Sequence, residues 1–463
     1  MVGRIECITP VDGSVYVTRD LADPDTMGRA LERARRAGAR WAATPLEERL
    51  EILGRAVDAF VAAGPGEALE ITWQMGRPIS QSPGEIAGFE ERARHMLAIA
   101  PEALADVEVE PVDGFHRFIR RQPLGTVFVM APWNYPYLTS VNSVIPALAA
   151  GNAVVLKHSA QTPLCAERYQ AAFESAGLPS GVFTHLHLSH DDALGIITGG
   201  GVDFVSFTGS VAGGRAVQGA AARRFIGTGL ELGGKDPAYV RHDADLDHAV
   251  ANLADGAFFN SGQSCCGIER IYVHHRVYEP FVEGLVEAAR AYRLGDPTDP
   301  DVNLGPMVRT AAADFVRGQI AEAVTAGARA LVDPAGFPRA SEGTPYLAPQ
   351  VLVDVDHSLG VMSEESFGPV VGVMAVGSDE EAVELMNDSD YGLTAAIWTS
   401  DPEAAEAVGQ RIDTGTWFQN RCDYLDPALA WTGVKDSGRG CSLSSLGYSQ
   451  LTRPKSFHLR LGT

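Results

Sequence analysis

Cysteine is scarce in this chain of 463 residues, which holds only Cys7, Cys165, Cys265, Cys266, Cys422 and Cys441. Thiols so scattered do not form the framework of a small secreted disulfide scaffold, and no pair has CxxC or zinc-ribbon spacing. No metal site is therefore expected. Long hydrophobic runs are missing too. The most apolar segments, Val127–Pro132 and Val144–Leu156, are too short or too broken to cross a bilayer. Positive charge is in deficit, with a formal net charge of −22 at pH 7. A surface that negative repels phosphate backbones and anionic headgroups, so neither nucleic acid nor a membrane is expected as a general partner. The stretch Met1–Pro10 has no basic segment leading into an apolar one. No signal peptide is expected from it, and the reading is a cytoplasmic protein with reduced thiols. Repeats and low-complexity tracts are also missing.

What is present has the balance of a globular protein, 45% apolar and 21% charged residues. The first hundred or so residues read as helical. Apolar positions such as Leu50, Leu53, Val57 and Phe60 recur near helical spacing, with Pro45 in a first turn and Thr44 as its cap. Val107–Arg121 reads as a hairpin about Asp113-Gly114. From Gly125 strands alternate with helices: Thr126–Met130, Ala153–Lys157, Phe204–Thr208 and Pro237–Val240 are the strands. Beyond Gly234 the alternation begins again, with a helix over Leu246–Phe259, a strand over Arg270–Val273 and a helix over Tyr278–Tyr292. The pattern predicts an α/β protein with two parallel-sheet domains. A last strand is expected over Ser456–Leu461.

Five segments carry groups able to do chemistry. Pro132-Trp133-Asn134-Tyr135-Pro136 follows a strand, and its bracketing prolines can hold the asparagine amide rigidly. Phe207-Thr208-Gly209-Ser210, with Gly213-Gly214, ends a strand where glycines and a helix N-terminus suit a phosphate. Glu231-Leu232-Gly233-Gly234-Lys235 places a carboxylate beside two glycines. Asn260-Ser261-Gly262-Gln263-Ser264-Cys265-Cys266 puts a thiol after a glycine turn. Glu364-Glu365-Ser366-Phe367-Gly368-Pro369 is an acidic pair leading into an aromatic turn. Taken alone, the first reads as a loop with a buried polar residue, the second is a weak phosphate signal, the third reads as a surface Glu–Lys pair and the fourth as a packed thiol.

Together and in this order, the five segments resemble the aldehyde dehydrogenase superfamily over nearly the whole chain, as far as Lys435-Asp436-Ser437-Gly438. The resemblance implies two Rossmann-like domains and a small β oligomerisation arm. The cofactor-binding domain would be 1–106 with 122–232, the catalytic domain 233–432, and the arm 107–121 with 447–463. It implies Cys265 as nucleophile, Glu231 as general base and Asn134 as the side-chain part of an oxyanion hole. Lys157, Gly209, Ser210, Trp133, Glu365 and Phe367 would meet NAD or NADP. A glutamate at the base position goes with release of a free acid rather than an acyl thioester. The aldehyde tunnel would be lined by Tyr135, Leu138, Asn142, Ser264, Cys266, Phe418, Tyr424 and Trp431. The substrate would be a small aldehyde, and the assembly a homodimer or homotetramer.

The chain departs from the family at three places. Ala160 stands where many members have a glutamate that holds the NAD 2′-hydroxyl, which leaves NADP open. Ser143 replaces a frequent lysine, and Gly440-Cys441-Ser442 replaces a frequent Gly-Arg-Glu. A water-borne relay behind Glu231 is one consequence. Cys266, beside the nucleophile, has a packing reading and a redox-protective one. No arginine is placed by the sequence against a substrate carboxylate. A cysteine hydrolase, the rival reading, would need a histidine such as His274 or His275 beside Cys265.

Overall fold

The computed structural model describes residues 3–462. The chain begins with an antiparallel hairpin, Arg4–Ile8 with Val15–Asp20, where the sequence pattern predicted helix. These strands are short and exposed or half-exposed except at Cys7, so they lack the apolar run that marks the buried strands. Three helices follow, Pro24–Trp41, Leu46–Met75 and Pro83–Ala103. Asp23 caps the first by accepting the Thr26 N–H at 2.6 Å, with Pro24 in the first turn. Pro45 itself occupies the cap position of the second helix, and Thr44 does not cap it as expected. Gly76 ends that helix in the left-handed region (φ 86°), wedged against Pro10 and Pro306.

Two sheets form the body. The first is ordered Gly438–Arg439, Gly227–Glu231, Phe204–Thr208, Thr126–Met130, Ala153–Lys157, Phe183–His185, and all but Gly438–Arg439 run parallel. Thr126–Met130 and Ala153–Lys157 are buried at every position, which is why they read as unbroken apolar runs. The second sheet is ordered Arg329–Ala330, Gln350–Val353, Val370–Val376, Ile268–His274, Asp236–Val240, Thr394–Trp398, Thr416–Gln419, with only Arg329–Ala330 antiparallel. This is the two-sheet α/β architecture the strand–helix alternation called for.

The order of strands locates the site. The first sheet is built outward in both directions from Thr126–Met130, so a crevice opens beyond its carboxyl ends between that strand and Phe204–Thr208. Asn134 follows one of these strands, Ser210 follows the other, and Glu231 ends the next. Cys265 lies just before the amino end of Ile268–His274 in the second sheet, and Glu365 just before Val370–Val376. Carboxyl ends of one sheet therefore meet amino ends of the other.

A third sheet holds the arm: Thr452–Arg460, Phe115–Pro123, Val107–Glu108. The turn at Asp113-Gly114 forms as expected, with Phe115 N–H donating to Val112 at 3.0 Å and Gly114 at φ 80°. The tail strand is longer than the sequence pattern showed, and it pairs along its whole length with the arm of its own chain. Its other side has no partner strand among the described residues, so it is an open sheet edge, and Val107, Val109, Val112, Leu459 and Leu461 of the arm and tail are exposed.

Candidate active site

Asn134 sits between its strand and the helix Pro136–Ala149, and it is held from outside both. Glu85 reaches across to cap that helix, accepting the N–H groups of Tyr137 and Leu138 at 2.8 Å each. Arg77 pairs with Glu85 in full burial and also donates to the Asn134 carbonyl. The Asn134 amide nitrogen donates to Gln263 O at 3.2 Å, which ties it to the cysteine loop.

That loop turns through Asn260, Ser261 and Gly262, all with positive φ (51°, 57° and 69°). A side chain at Gly262 would collide with Gly368 O, so glycine is required there. Asn260 donates to Asn134 O and Gln263 O, and Gln263 takes the Val308 N–H at 2.7 Å. Side chains on unstable backbone dihedrals are thereby fixed on every side. Cys265 is half-buried, and its backbone N–H has no acceptor among the described residues.

Cys265, Glu231 and Thr208 are shared by two cavities. The smaller, about 230 Å³, is lined by Trp133, Asn134, Gly209, Ser210, Gly233, Glu365 and Phe367 among others. Ser210 caps the helix Val211–Ala221, and added Cβ atoms at Gly209 or Gly213 would strike the Phe207 ring. Bare backbone N–H groups at a helix N-terminus suit a pyrophosphate, so the residues present fit a dinucleotide. Glu365 accepts the Gly234 N–H at 3.0 Å and lies where a Cβ on Gly233 would touch it. Burial and the nearby Glu269 push the Glu365 carboxyl up to about 7. Trp133 and Phe367 meet edge to face at 5.7 Å. Lys157 ends its strand beside Met130 and is buried, outside the residues lining this cavity, and burial lowers its pKa.

Glu231 is held by two hydroxyls, Ser442 Oγ at 2.6 Å and Thr208 Oγ1 at 3.3 Å. Burial raises its pKa, and these hydrogen bonds oppose the rise. Behind it a void of about 10 Å³, the size for one water, is lined by Ser143, Ser206 and Ser442 among others. Ser143 and Ser206 bond each other there at 2.6 Å.

The larger cavity, about 580 Å³, brings together Tyr135, Leu138, Asn142, Ser264, Cys266, Tyr424 and Trp431 among others. Phe418, expected among them, faces instead into the core of the second sheet. Its strand, Thr416–Gln419, lies at the sheet's edge, where the alternation turns Phe418 inward. Cys266 is buried and donates to Asp423 Oδ1 at 2.8 Å.

Several side chains of the site escaped the sequence reading. Arg77, Glu85 and Arg92 come from the region read only as helix. Glu269 accepts the N–H groups of Ser366 and Phe367 at 2.8 and 2.9 Å and pairs with buried Lys235, which holds the Glu365 turn in place. Removing Glu269 would leave Lys235 as an uncompensated buried charge, a change that costs about 3–5 kcal/mol. None of these charges stood out in the sequence, since Glu85 and Arg92 lie on a helix rich in charge, Arg77 in the loop after Gly76, and Glu269 beside Arg270. His274 and His275 line neither cavity that Cys265 faces, so the hydrolase pairing has no histidine to rest on.

Comparison with known proteins bears directly on this arrangement. Residues 2–457 match the model of the aldehyde dehydrogenase family. The chain belongs to that family. It is 34% identical over 448 residues to a succinate-semialdehyde dehydrogenase [NADP(+)] of Deinococcus radiodurans, covering 97% of this chain and 93% of the relative. Identity to betaine aldehyde dehydrogenase 1 of Rhizobium meliloti is 33%, covering 99% of this chain and 94% of the relative. A succinic semialdehyde dehydrogenase from Streptococcus pyogenes, solved with NADP+, superposes with TM-score 0.94 at 30% identity, covering 98% of this chain and 100% of that one. The protein is an enzyme that oxidises an aldehyde to the carboxylic acid, with NAD or NADP as hydride acceptor. No described helix is long and apolar enough to cross a membrane.

Proposed function

We propose that Cys265 is the nucleophile of this oxidation, Glu231 the general base and Asn134 an oxyanion donor. The observation that carries this is the position of Cys265 and Glu231 on the shared wall of two cavities, one glycine-rich and one lined by side chains. The thiolate of Cys265 adds to the aldehyde carbon, and the carbonyl oxygen becomes an alkoxide. The free Cys265 N–H and the Asn134 amide supply donors for that charge, each typically worth about 10²–10³ in rate. A nicotinamide held beside Trp133, Glu365 and Phe367 would supply the hydride acceptor, and loss of hydride from the alkoxide carbon leaves a thioester on Cys265. Glu231 takes a proton from water, whose hydroxide attacks the thioester and releases the free acid and the thiol. Ser442 and Thr208 fix the direction of the carboxylate, and burial strengthens it as a base.

Gly209 and Ser210 would hold the pyrophosphate, Glu365 the nicotinamide ribose, and Trp133 and Phe367 would pack beside the ring. Lys157 would meet the adenosine ribose, with exposed Ala160 leaving room for a 2′-phosphate. Residues 1–106 with 122–232 form the cofactor-binding domain in this reading, residues 233–432 the catalytic domain, and 107–121 with 447–463 the arm. The reading places the enzyme in the cytoplasm. The exposed apolar residues of the arm support a homodimer or homotetramer, and light scattering showing a monomer at micromolar concentration would refute that.

Glu231→Gln tests the mechanism. Rapid mixing should show one equivalent of NAD(P)H released per site, then turnover slowed by about 10²–10⁴. Full steady-state activity in the variant would remove Glu231 from the role.

A further inference from the structure

The named relatives act on aldehydes of opposite charge, succinate semialdehyde and betaine aldehyde, so their names do not say which tail this cavity receives. The wall of the larger cavity does. Arg92, on the helix Pro83–Ala103, lines it and is only 7% exposed. Its Nη1 donates to Leu138 O at 2.5 Å and, weakly, to Asn142 Oδ1 at 3.5 Å. Both acceptors are neutral. Neither Nε nor Nη2 of Arg92 has a partner among the described residues, and no carboxylate forms an ion pair with it. A guanidinium has five donors and cannot shed its proton, so burying one without a counter-charge is costly.

Four of the five carboxylates in the same wall are already engaged, Glu231 by Ser442 and Thr208. Glu85 is held by Arg77 and two backbone N–H groups. Asp423 accepts from Cys266 and Ser264, and Glu91 accepts the Tyr424 hydroxyl at 2.8 Å. Asp255 is exposed. Arg92 is thus a buried cation with unused donors in the cavity that also holds Cys265. The Asn142 amide nitrogen beside it is buried with no acceptor either.

Building on the reading of Cys265 as nucleophile, we propose that Arg92 is the anchor for an anionic group at the far end of the aldehyde, and that the substrates are short semialdehydes bearing a carboxylate. A carboxylate would accept from the unused Nε and Nη2 in the two-pronged geometry guanidinium favours. A quaternary ammonium tail would meet uncompensated like charge.

The test compares succinate semialdehyde with butanal, equal in carbon number and lacking the charge, for the wild type, Arg92→Met and Arg92→Lys. The wild type should have the higher kcat/KM for the acid. In Arg92→Met that preference should fall by roughly 100-fold, mostly through KM, as for loss of one partner of a buried charge pair, with Arg92→Lys in between. Non-reactive succinate should slow alkylation of Cys265 by iodoacetamide in the wild type and not in Arg92→Met. Equal losses for both aldehydes, a wild type that prefers butanal, or undiminished protection by succinate in Arg92→Met would each overturn the anchor. If the methionine variant fails to fold, the lysine variant and wild-type protection decide the matter. A Cys265→Ala variant that still oxidised butanal would overturn the catalytic reading instead, while the Arg92-dependent preference between the two aldehydes would still test the anchor.

Discussion

The two cavities that meet at Cys265 are built in different ways. The smaller is largely a backbone construction: glycines at 209 and 233, a helix N-terminus at Ser210 and a turn pinned by Glu269. The larger is a side-chain construction, assembled from the helix Pro83–Ala103, the helix after Asn134, the cysteine loop and the loop carrying Asp423, Tyr424 and Trp431. A backbone cradle for one ligand needs particular residues at fixed short spacings. A side-chain pocket can be rebuilt one residue at a time, which lets one catalytic wall serve aldehydes of different shape.

The sharpest way to break this picture is at the shared wall. Cys265→Ala should lower turnover by on the order of 10⁴-fold or more, as removal of a covalent nucleophile does, while cofactor binding by fluorescence titration persists. Cys266→Ala, which removes a donor to Asp423 in the larger cavity alone, should retain turnover. If Cys266→Ala were the dead variant and Cys265→Ala the active one, the nucleophile would be its neighbour.

The same contrast explains what could be read from the sequence. Asn134, Glu231, Cys265 and Glu365 lie in short segments whose prolines and glycines are demanded by the backbone, as the collision at Gly262 shows. The strands Thr126–Met130 and Ala153–Lys157 were legible because burial on both faces makes them continuously apolar. The N-terminal hairpin was not, since its strands are short, exposed or half-exposed, and bury a single side chain, Cys7. Arg77, Glu85 and Arg92 were invisible for another reason. On a helix, a charged residue is ordinarily solvated, and only the packing of Pro83–Ala103 against Pro136–Ala149 buries Glu85 and Arg92, while Arg77, in the loop after Gly76, is buried by its pairing with Glu85. Ser442 as the partner of Glu231 could not be foreseen either, because it joins positions 211 residues apart.

On the cofactor side the effect should be smaller and dependent on pH. Burial and Glu269 raise the Glu365 carboxyl to about 7, so near neutrality it is only partly ionised. A ribose hydroxyl donates best to the ionised form. The KM for NAD(P)+ should therefore rise as pH falls below about 7 and level off above about 8, by up to roughly tenfold for one charged hydrogen bond. Glu365→Gln should abolish this dependence and give a KM near the wild-type value at low pH. A wild-type cofactor KM that is flat across neutrality would separate Glu365 from the ribose.

The smallest effect should come from Ala160, at the outer end of the cofactor's reach. The residue is exposed, so a charge placed there acts through water rather than protein. Two unit charges about 4 Å apart in water interact by about 1 kcal/mol, and the doubly charged 2′-phosphate of NADP can at most roughly double that. Ala160→Glu should therefore lower kcat/KM for NADP+ relative to NAD+ by about five- to thirtyfold at low ionic strength. Screening sets a second condition. At about 0.1 M salt the Debye length is near 10 Å, so the penalty should shrink with added salt without vanishing, whereas a steric penalty would ignore salt. Steady-state kinetics with both cofactors at two salt concentrations separate the two. Equal effects on NAD+ and NADP+ would mean that Ala160 does not face the adenosine ribose, and the side-chain logic of the larger cavity would have to extend into the smaller one.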